Sequence, residues 1–484
     1  MMSKDTEKKR EQVQIISMDE MVPQGHLLRN VERAIDFSFI YDLVKEKYSE
    51  DKGRPSLDPV TLIKIVIIQY LYGIKSMRQT IKEIEVNVAY RWFLGLTMYD
   101  TVPHFSTFGK NYTRRFKDSD LFEQIFTKIL EECFRCNFVD TTIAFIDGTH
   151  IKAHANKKKS IKSKVKKEVL FYEEELKKEI DKDRKEHDKK PLKDKDDDDT
   201  DGTGEQVEIK ESLTDPESGL FHKGEHKEVF AYVSQTACDK HGWILGYTVH
   251  RGNEHDSRNF LGIYKKVTAL GANIIVADAA YKTPAIARLI IEDNKTPVFP
   301  YKRPYTKAGF FRKHEYAYDE YYDCYICPNN QILSYSTTNR EGYKEYKSKG
   351  YICESCPHLN QCTNSKEHVK VVTRHVWEEY IETCEDIRHT KDMKEIYDLR
   401  KETIERVIGD AKENHGMRYT HYNGKHLMEM KIGLTFACIN LKKLVKMKIK
   451  YGLLQPVLSS LFRIIGYLNF HMNNEAKSHL EFAF

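Results

Sequence analysis

The chain lacks any apolar run long enough to cross a bilayer. Its longest, Ile63 to Ile74, is broken by Lys64, Gln69 and Gly73 and falls short of the roughly 20 residues a spanning helix needs. The opening stretch, Met1 to Arg10, is charged and has no apolar signal-peptide core. A strong charge of one sign is also missing. Lys and Arg total 78 against 73 Asp and Glu, a formal net charge of +5, so bulk charge alone does not argue for a nucleic-acid partner. Hydrophobic residues make up 40% of the chain and the mean hydropathy is −0.62. A soluble, cytoplasmic protein with no membrane partner is expected. The length of 484 residues leaves room for two or three domains with an ample core.

What is present changes character along the chain. Residues 1–135 read as helical. Asp58 can cap a helix with Pro59 in its first position, and Leu62, Ile63, Val66, Ile67, Tyr70 and Leu71 follow helical spacing up to Gly73. Ser76-Met77-Arg78-Gln79 has the form of a capping box opening a second helix through Ile84. A third helix is predicted over Val88–Leu94 and a fourth from Ser106. Short helices with Arg78, Lys82, Arg91, Lys110, Arg114 and Arg115 exposed suit a helix-turn-helix-like DNA-binding unit; an ordinary helical bundle fits the same pattern. Residues 157–211 are dominated by Lys, Glu and Asp, include Asp196 to Asp199, and read as a solvated, partly disordered or coiled insertion, with a helix around Val169 to Ile180.

Order returns in two strand-like runs, Glu228–Thr236 and Trp243–Val249, separated by Asp239-Lys240-His241-Gly242 in a hairpin pattern. A helix over Asn259–Leu270, a strand over Asn273–Ala277, a helix over Pro284–Asp293 and a short strand over Thr296–Phe299 follow. An earlier strand ends at Asp147. Three antiparallel strands followed by parallel α/β units give an α/β, ribonuclease-H-like catalytic domain, its first part over residues 140–300. In that arrangement the carboxylate of the first strand sits beside the end of the fourth.

Two apolar segments, Ile143-Ala144-Phe145-Ile146-Asp147 and Ile274-Ile275-Val276-Ala277-Asp278, each deliver one aspartate to the point where the run stops. An unpaired buried carboxylate costs several kcal/mol, whereas two on one sheet can share a divalent metal. A third is expected in the helical stretch Tyr397 to Lys412, where Glu405 and Lys412, seven apart, share a face; Glu402 could serve in place of Glu405. Asp256 and Asp239 read as a helix cap and a hairpin-turn residue. From Glu405 to Lys450 ten Lys and Arg stand against four acids, which makes the C-terminal third the place for a polyanion.

Asp147 in Ile-Asp-Gly-Thr, Asp278 in Val-Ala-Asp-Ala-Ala-Tyr, and Glu405 with Tyr397, Arg400 and Lys412 resemble the DDE transposases of bacterial insertion sequences, in the branch with a Tyr-Arg-Glu-Lys motif. Gly53-Arg54-Pro55 through Phe108 and Gly252-Asn253-Glu254-His255-Asp256-Ser257 share the resemblance. Four residues lie between Arg400 and Glu405, where the family has three. The resemblance implies catalysis by Asp147, Asp278 and Glu405 with two Mg²⁺ (or Mn²⁺) ions, cleavage at the terminal repeats of a transposon, and attack of the freed 3′-hydroxyl on target DNA. It also implies DNA contacts by Tyr397, Arg400 and Lys412, a homodimer on DNA, and a nucleoid-associated location. Two other classes fit the chain: a transposon-derived DNA-binding protein without catalysis, and a metal-dependent nuclease without strand transfer.

Cys324-x-x-Cys327 and Cys353-x-x-Cys356, with Cys362 and His358 nearby, form paired knuckles around a strand-rich spacer. They resemble a zinc ribbon, so an inserted zinc-ribbon-like subdomain over residues 301–385 with a structural Zn²⁺ is expected; the alternative is four buried, unligated thiols. Residues 386–450 then carry the catalytic helix and basic helices, and 451–484 form a C-terminal tail.

Overall fold

A computed structural model describes residues 13, 15–49, 56–117, 119–166, 170–192, 206–223 and 227–454. The Gly53-Arg54-Pro55 motif, the tract Asp196 to Asp199 and the tail from residue 455 lie outside the described residues. The chain divides into two compact units, Met1–Leu121 with Cys438–Phe484, and Phe122–Ala437.

Every described element of the first unit is helical. The Asp58 carboxylate accepts from Thr61 N at 2.8 Å and Pro59 opens a helix that runs to Leu71 with nine buried residues, forming the core of the unit. Gly73 follows with φ +63°, a left-handed conformation that stops the helix. Ser76 caps Met77–Val86 through Gln79 N, and Asn87 caps Val88–Leu94. Arg91 departs from expectation. It is buried and donates to the carbonyls of Glu85, Thr97 and Asp100 at 3.2, 2.7 and 3.1 Å. These orphan acceptors at the end of one helix and in the next loop need a donor, so Arg91 is structural.

The second unit is built on a six-stranded mixed sheet. In chain order its strands and the neighbouring ribbon are β1 (Ile143–Lys152), β2 (Ser160–Lys166), β3 (Gln206–Ser212), β4 (Gly219–Lys223), β5 (Lys227–Cys238), β6 (Ile244–Arg251), β7 (Ile274–Val276) and β8 (Thr296–Val298). The sheet path runs β5-β1-β7-β8, with β4 and β6 also paired to β5. The pairs β5–β1 and β5–β6 are antiparallel, and β1–β7 and β7–β8 are parallel. This mixed α/β order is compatible with a ribonuclease-H-like fold. Helices Phe260–Ala269 and Pro284–Glu292 cross between strands and bury Phe260, Ile263, Tyr264, Ile286 and Ile290 against Ala144, Ile146 and Ile275.

The charged insertion holds more order than its composition suggests. β2 and β3 pair as an antiparallel ribbon, and helix Glu173–Glu186 places Leu176 and Ile180, four apart, against Ala285 and Trp377. Two apolar side chains on one face anchor a helix otherwise dominated by charge. The cysteine-rich region is a five-stranded antiparallel sheet, β9 (Ala317–Asp319), β10 (Cys324–Ile326), β11 (Ile332–Thr338), β12 (Tyr343–Lys347) and β13 (Val371–His375). Its core is Tyr316, Tyr325, Leu333, Tyr346 and Val372.

The stretch from Tyr397 to Lys412 is not one helix. Met393–Asp398 passes into a 3₁₀ turn, Leu399–Lys401, and a new helix starts at Ile404. Buried Thr403, at φ −108° and ψ −96°, breaks the path, and its hydroxyl donates to Leu399 O at 2.7 Å. Helical spacing therefore applies between Glu405 and Lys412 but not between Arg400 and Glu405.

Candidate active site

The site begins where β1 loses its apolar pattern. Ala144, Phe145 and Ile146 are fully buried, and the next side chain is Asp147. Parallel pairing sets Phe145 opposite Val276. Asp147 and Asp278 each lie two residues farther on, at the same level. Asp278 is past the end of β7, whereas β1 does not end at Asp147 as expected but continues to Lys152, held by its antiparallel pairing with β5. Gly148 N donates to Asp147 Oδ1 at 2.9 Å, and Ala280 N donates to Asp278 Oδ1 at 2.8 Å. Such short-range bonds fix where each carboxylate points.

Two groups join them. Arg400 Nη2 lies 3.1 Å from Asp147 Oδ2, with 7% and 20% of the two side chains exposed, and Arg400 Nη1 donates to Tyr397 OH at 3.3 Å. Asp256 is the second. Its carboxylate sits so close to Gly148 that a methyl group there would meet Asp256 Oδ1 at 2.5 Å. Gln235, paired opposite Gly148 in the β1–β5 register, donates from Nε2 to Asp256 O at 2.6 Å and holds the loop in place.

The electrostatics follow from this crowding. Asp147 is pushed up to about 6, mainly by burial; Arg400 opposes the shift, and the Asp278 and Asp256 charges add to it. Burial and the Asp278 charge also raise Asp256. Tyr281, fully buried, is held well above the usual phenol range by burial and then by Asp256, Asp147 and Asp278. Among the described residues, Asp256 Oδ1, Tyr281 OH, Gln235 Oε1 and Arg400 Nε are buried polar atoms without a hydrogen-bond partner. Orphans of this kind each cost about 1–3 kcal/mol, and here they surround one cluster of carboxylates.

Glu405 lies in the first turn of helix Ile404–Asn414, which packs on β1 and β5. It is exposed, and among the described residues it is not one of the groups that bear most strongly on Asp147. Lys412 is half-buried on the same helix. Among the described residues no group of three or more His, Cys, Asp or Glu side chains is arranged to hold a metal ion as it stands. The same applies to the cysteine pairs. Cys324 is buried, with Asp319 and Asp323 as its charged neighbours, while Cys362 has Cys353 and Cys327 nearby, so this arrangement gives zinc no support.

Of the other basic residues expected at DNA, Arg78 is exposed beside the Phe105 ring at 4.5 Å, Arg114 is exposed, and Arg115 is half-buried over the Tyr48 ring at 4.4 Å. Two of the C-terminal lysines are not available to a polyanion. Lys431 donates to Gly416 O at 3.1 Å and to Tyr419 O, and Lys448 to Ala34 O at 2.7 Å, each residue 7% exposed.

Two family matches bear on this geometry. The family described as a transposase domain (DUF772) matches residues 16–114, and the transposase DDE domain family matches residues 326–445, a span that includes Arg400, Glu405 and Lys412. The chain is a DDE transposase of an insertion sequence. No curated protein matches it. The transposase is thus an enzyme acting on DNA, in a family that normally uses divalent metals such as Mg²⁺. Among its described residues no helix is long and apolar enough to cross a membrane.

From sequence, Asp256 reads as a helix cap. Helix Phe260–Ala269 instead starts at Asn259 with no side-chain cap bond, and the Asp256 carboxylate turns to Gly148. Tyr281 and Gln235 were also missed. The signal available was the glycine beside Asp147: a residue without a side chain next to a candidate carboxylate leaves space for another group to approach.

Proposed function

We propose that this transposase binds the terminal repeats of its element, cleaves the DNA there and joins the 3′-hydroxyl ends to target DNA, with Asp147, Asp278 and Glu405 holding two divalent ions. The observation that carries the reading is the matched level of Asp147, within β1, and Asp278, just past the end of the adjacent parallel strand β7, with the helix bearing Glu405 packed on β1. The donor set fits hard divalent cations, which take carboxylate and water oxygens. Clustered carboxylates with one guanidinium and several orphaned polar atoms form a surface that a cation and its water would complete. Bound ions of this kind supply Lewis-acid stabilisation of the attacking and leaving oxygens in phosphoryl transfer.

The remaining steps belong to the chain's own side chains. Arg400 neutralises Asp147 before DNA arrives and, on the cleaved strand, would hold a phosphate oxygen with Tyr397. Lys412, two helical turns beyond Glu405, would pair with a neighbouring phosphate. The helical segment 1–135, through Arg78, Arg114 and Arg115, would grip the transposon end, and two copies would hold two ends as a homodimer on DNA. A strand-transfer assay tests this reading. A pre-cleaved end duplex is incubated with supercoiled plasmid and Mg²⁺; joining supports transposition, degradation without joining makes the protein a nuclease, and end binding without either makes it a DNA-binding relic.

A further inference from the structure

Resting on the metal-site reading above, we infer that Asp256 is a fourth carboxylate ligand of the same centre. Three observations support it. First, the Asp256 carboxylate lies directly over Gly148, with Oδ1, Cγ and Oδ2 at 2.5, 3.0 and 3.2 Å from the position a Cβ would occupy there. Gly148 follows Asp147 and its N–H binds Asp147 Oδ1, so the two carboxylates flank one peptide unit.

Second, the approach is built rather than incidental. Gln235 is fully buried in the strand facing Gly148 and clamps the backbone of Asp256 at 2.6 Å. Its grip leaves the carboxylate free, and Asp256 Oδ1 is buried without a hydrogen-bond partner among the described residues. A loop aspartate serving as a cap would spend its oxygens on backbone N–H groups, and this one does not.

Third, an independent buried group lies on the turn after Asp278, its backbone N–H donating to Asp278 O at 3.2 Å. Tyr281 is 0% exposed, its hydroxyl has no hydrogen-bond partner among the described residues, and the charged groups acting on it are Asp256, Asp147, Asp278 and Arg400. A buried phenol hydroxyl with no partner among the described residues, on the turn that follows Asp278, would be satisfied by a water on a shared cation. Gly148 is therefore required for its small size: any side chain there would displace the fourth carboxylate.

Mn²⁺ titration calorimetry of the metal-free full-length protein tests the inference, without reference to catalysis. Asp256→Asn is expected to weaken Mn²⁺ binding by about tenfold or more, and Asp147→Asn and Asp278→Asn are expected to do the same. Its melting temperature in EDTA is expected to equal or exceed that of the wild type, because one of three crowded negative charges is gone; a cap would instead lower it. Wild-type Mn²⁺ affinity in Asp256→Asn, with the other two variants impaired, overturns the fourth ligand and leaves the centre standing. Wild-type affinity in all three overturns the metal reading itself together with this inference. Should Asp256→Asn fail to fold, Gly148→Ala reads the same contact with every charge retained: weaker Mn²⁺ binding supports the role of Asp256, and unchanged binding overturns it.

Discussion

Arg400 is the residue whose removal says most about the centre. Its guanidinium, 7% exposed, meets Asp147, 20% exposed, at 3.1 Å. Removing one partner of such a buried pair while the other stays charged costs about 3–5 kcal/mol. Asp147 can escape that cost by taking up a proton, and each pH unit is worth about 1.4 kcal/mol to a carboxyl. Since Asp147 sits at about 6 in the intact protein, it is already mostly protonated near pH 5 and the pair contributes little there. Arg400→Met, which keeps the apolar stem of the side chain, is therefore expected to lose about 3 kcal/mol near pH 8 and only about 1 kcal/mol near pH 5, in EDTA. Saturating Mn²⁺ should recover most of the loss at the higher pH, because a bound cation replaces the missing positive charge. Urea unfolding of both proteins at the two pH values, with and without Mn²⁺, gives the four differences. An equal loss in all four conditions would refute the reasoning and make Arg400 a packing residue.

Two other expectations follow from the same geometry. The folded protein holds the Asp147 proton more tightly than the unfolded chain does, since the carboxyl is raised from 3.8 to about 6. Its contribution to stability is thus fully present below about pH 4 and is lost as pH rises through about 6, amounting to at most about 3 kcal/mol. Urea midpoints of metal-free wild type and Asp147→Asn across this range should converge on a flat profile for the variant, and Mn²⁺ affinity of the wild type should fall below about pH 6, where protons compete for the site. In the helical unit, Arg91→Ala leaves three carbonyls without their donor and should cost about 3 kcal/mol. Arg114→Ala, at an exposed position, should change stability by less than about 0.5 kcal/mol while reducing the salt dependence of end-DNA binding by about one counterion.

The parts of the site that sequence made legible are those that depend on local pattern. The apolar runs before Asp147 and Asp278 mark two strands, and the parallel register follows once the alternation of strand and helix is recognised. That β1 runs past Asp147 to Lys152 depends on its pairing with β5 and is not marked by composition. The caps at Asp58 and Ser76 were legible for the same reason, each set within three residues. What stayed hidden depends on contacts across the chain. Asp256 gains its place through Gln235, 21 residues earlier, and no spacing rule links them. Thr403 is different: the break it makes in a stretch with strong helical propensity is seen in its backbone, φ −108° and ψ −96°, and its hydroxyl binds Leu399 O only four residues back. Cysteine spacing shows which thiols are close in sequence, yet the charged neighbours of Cys324 are Asp319 and Asp323, whereas Cys362 has Cys353 and Cys327 nearby. Counting charges fails likewise at Lys431 and Lys448, whose ammonium groups satisfy buried carbonyls instead of facing solvent.

Strand transfer by the Asp278→Ala protein tests the central claim most directly. With a pre-cleaved transposon-end duplex, supercoiled plasmid and Mg²⁺, the wild type is predicted to give joined products, and Asp278→Ala to give none while still binding the end duplex. Joining by Asp278→Ala at the wild-type rate would contradict the account, because the paired aspartates of β1 and β7 would then not be the seat of the chemistry.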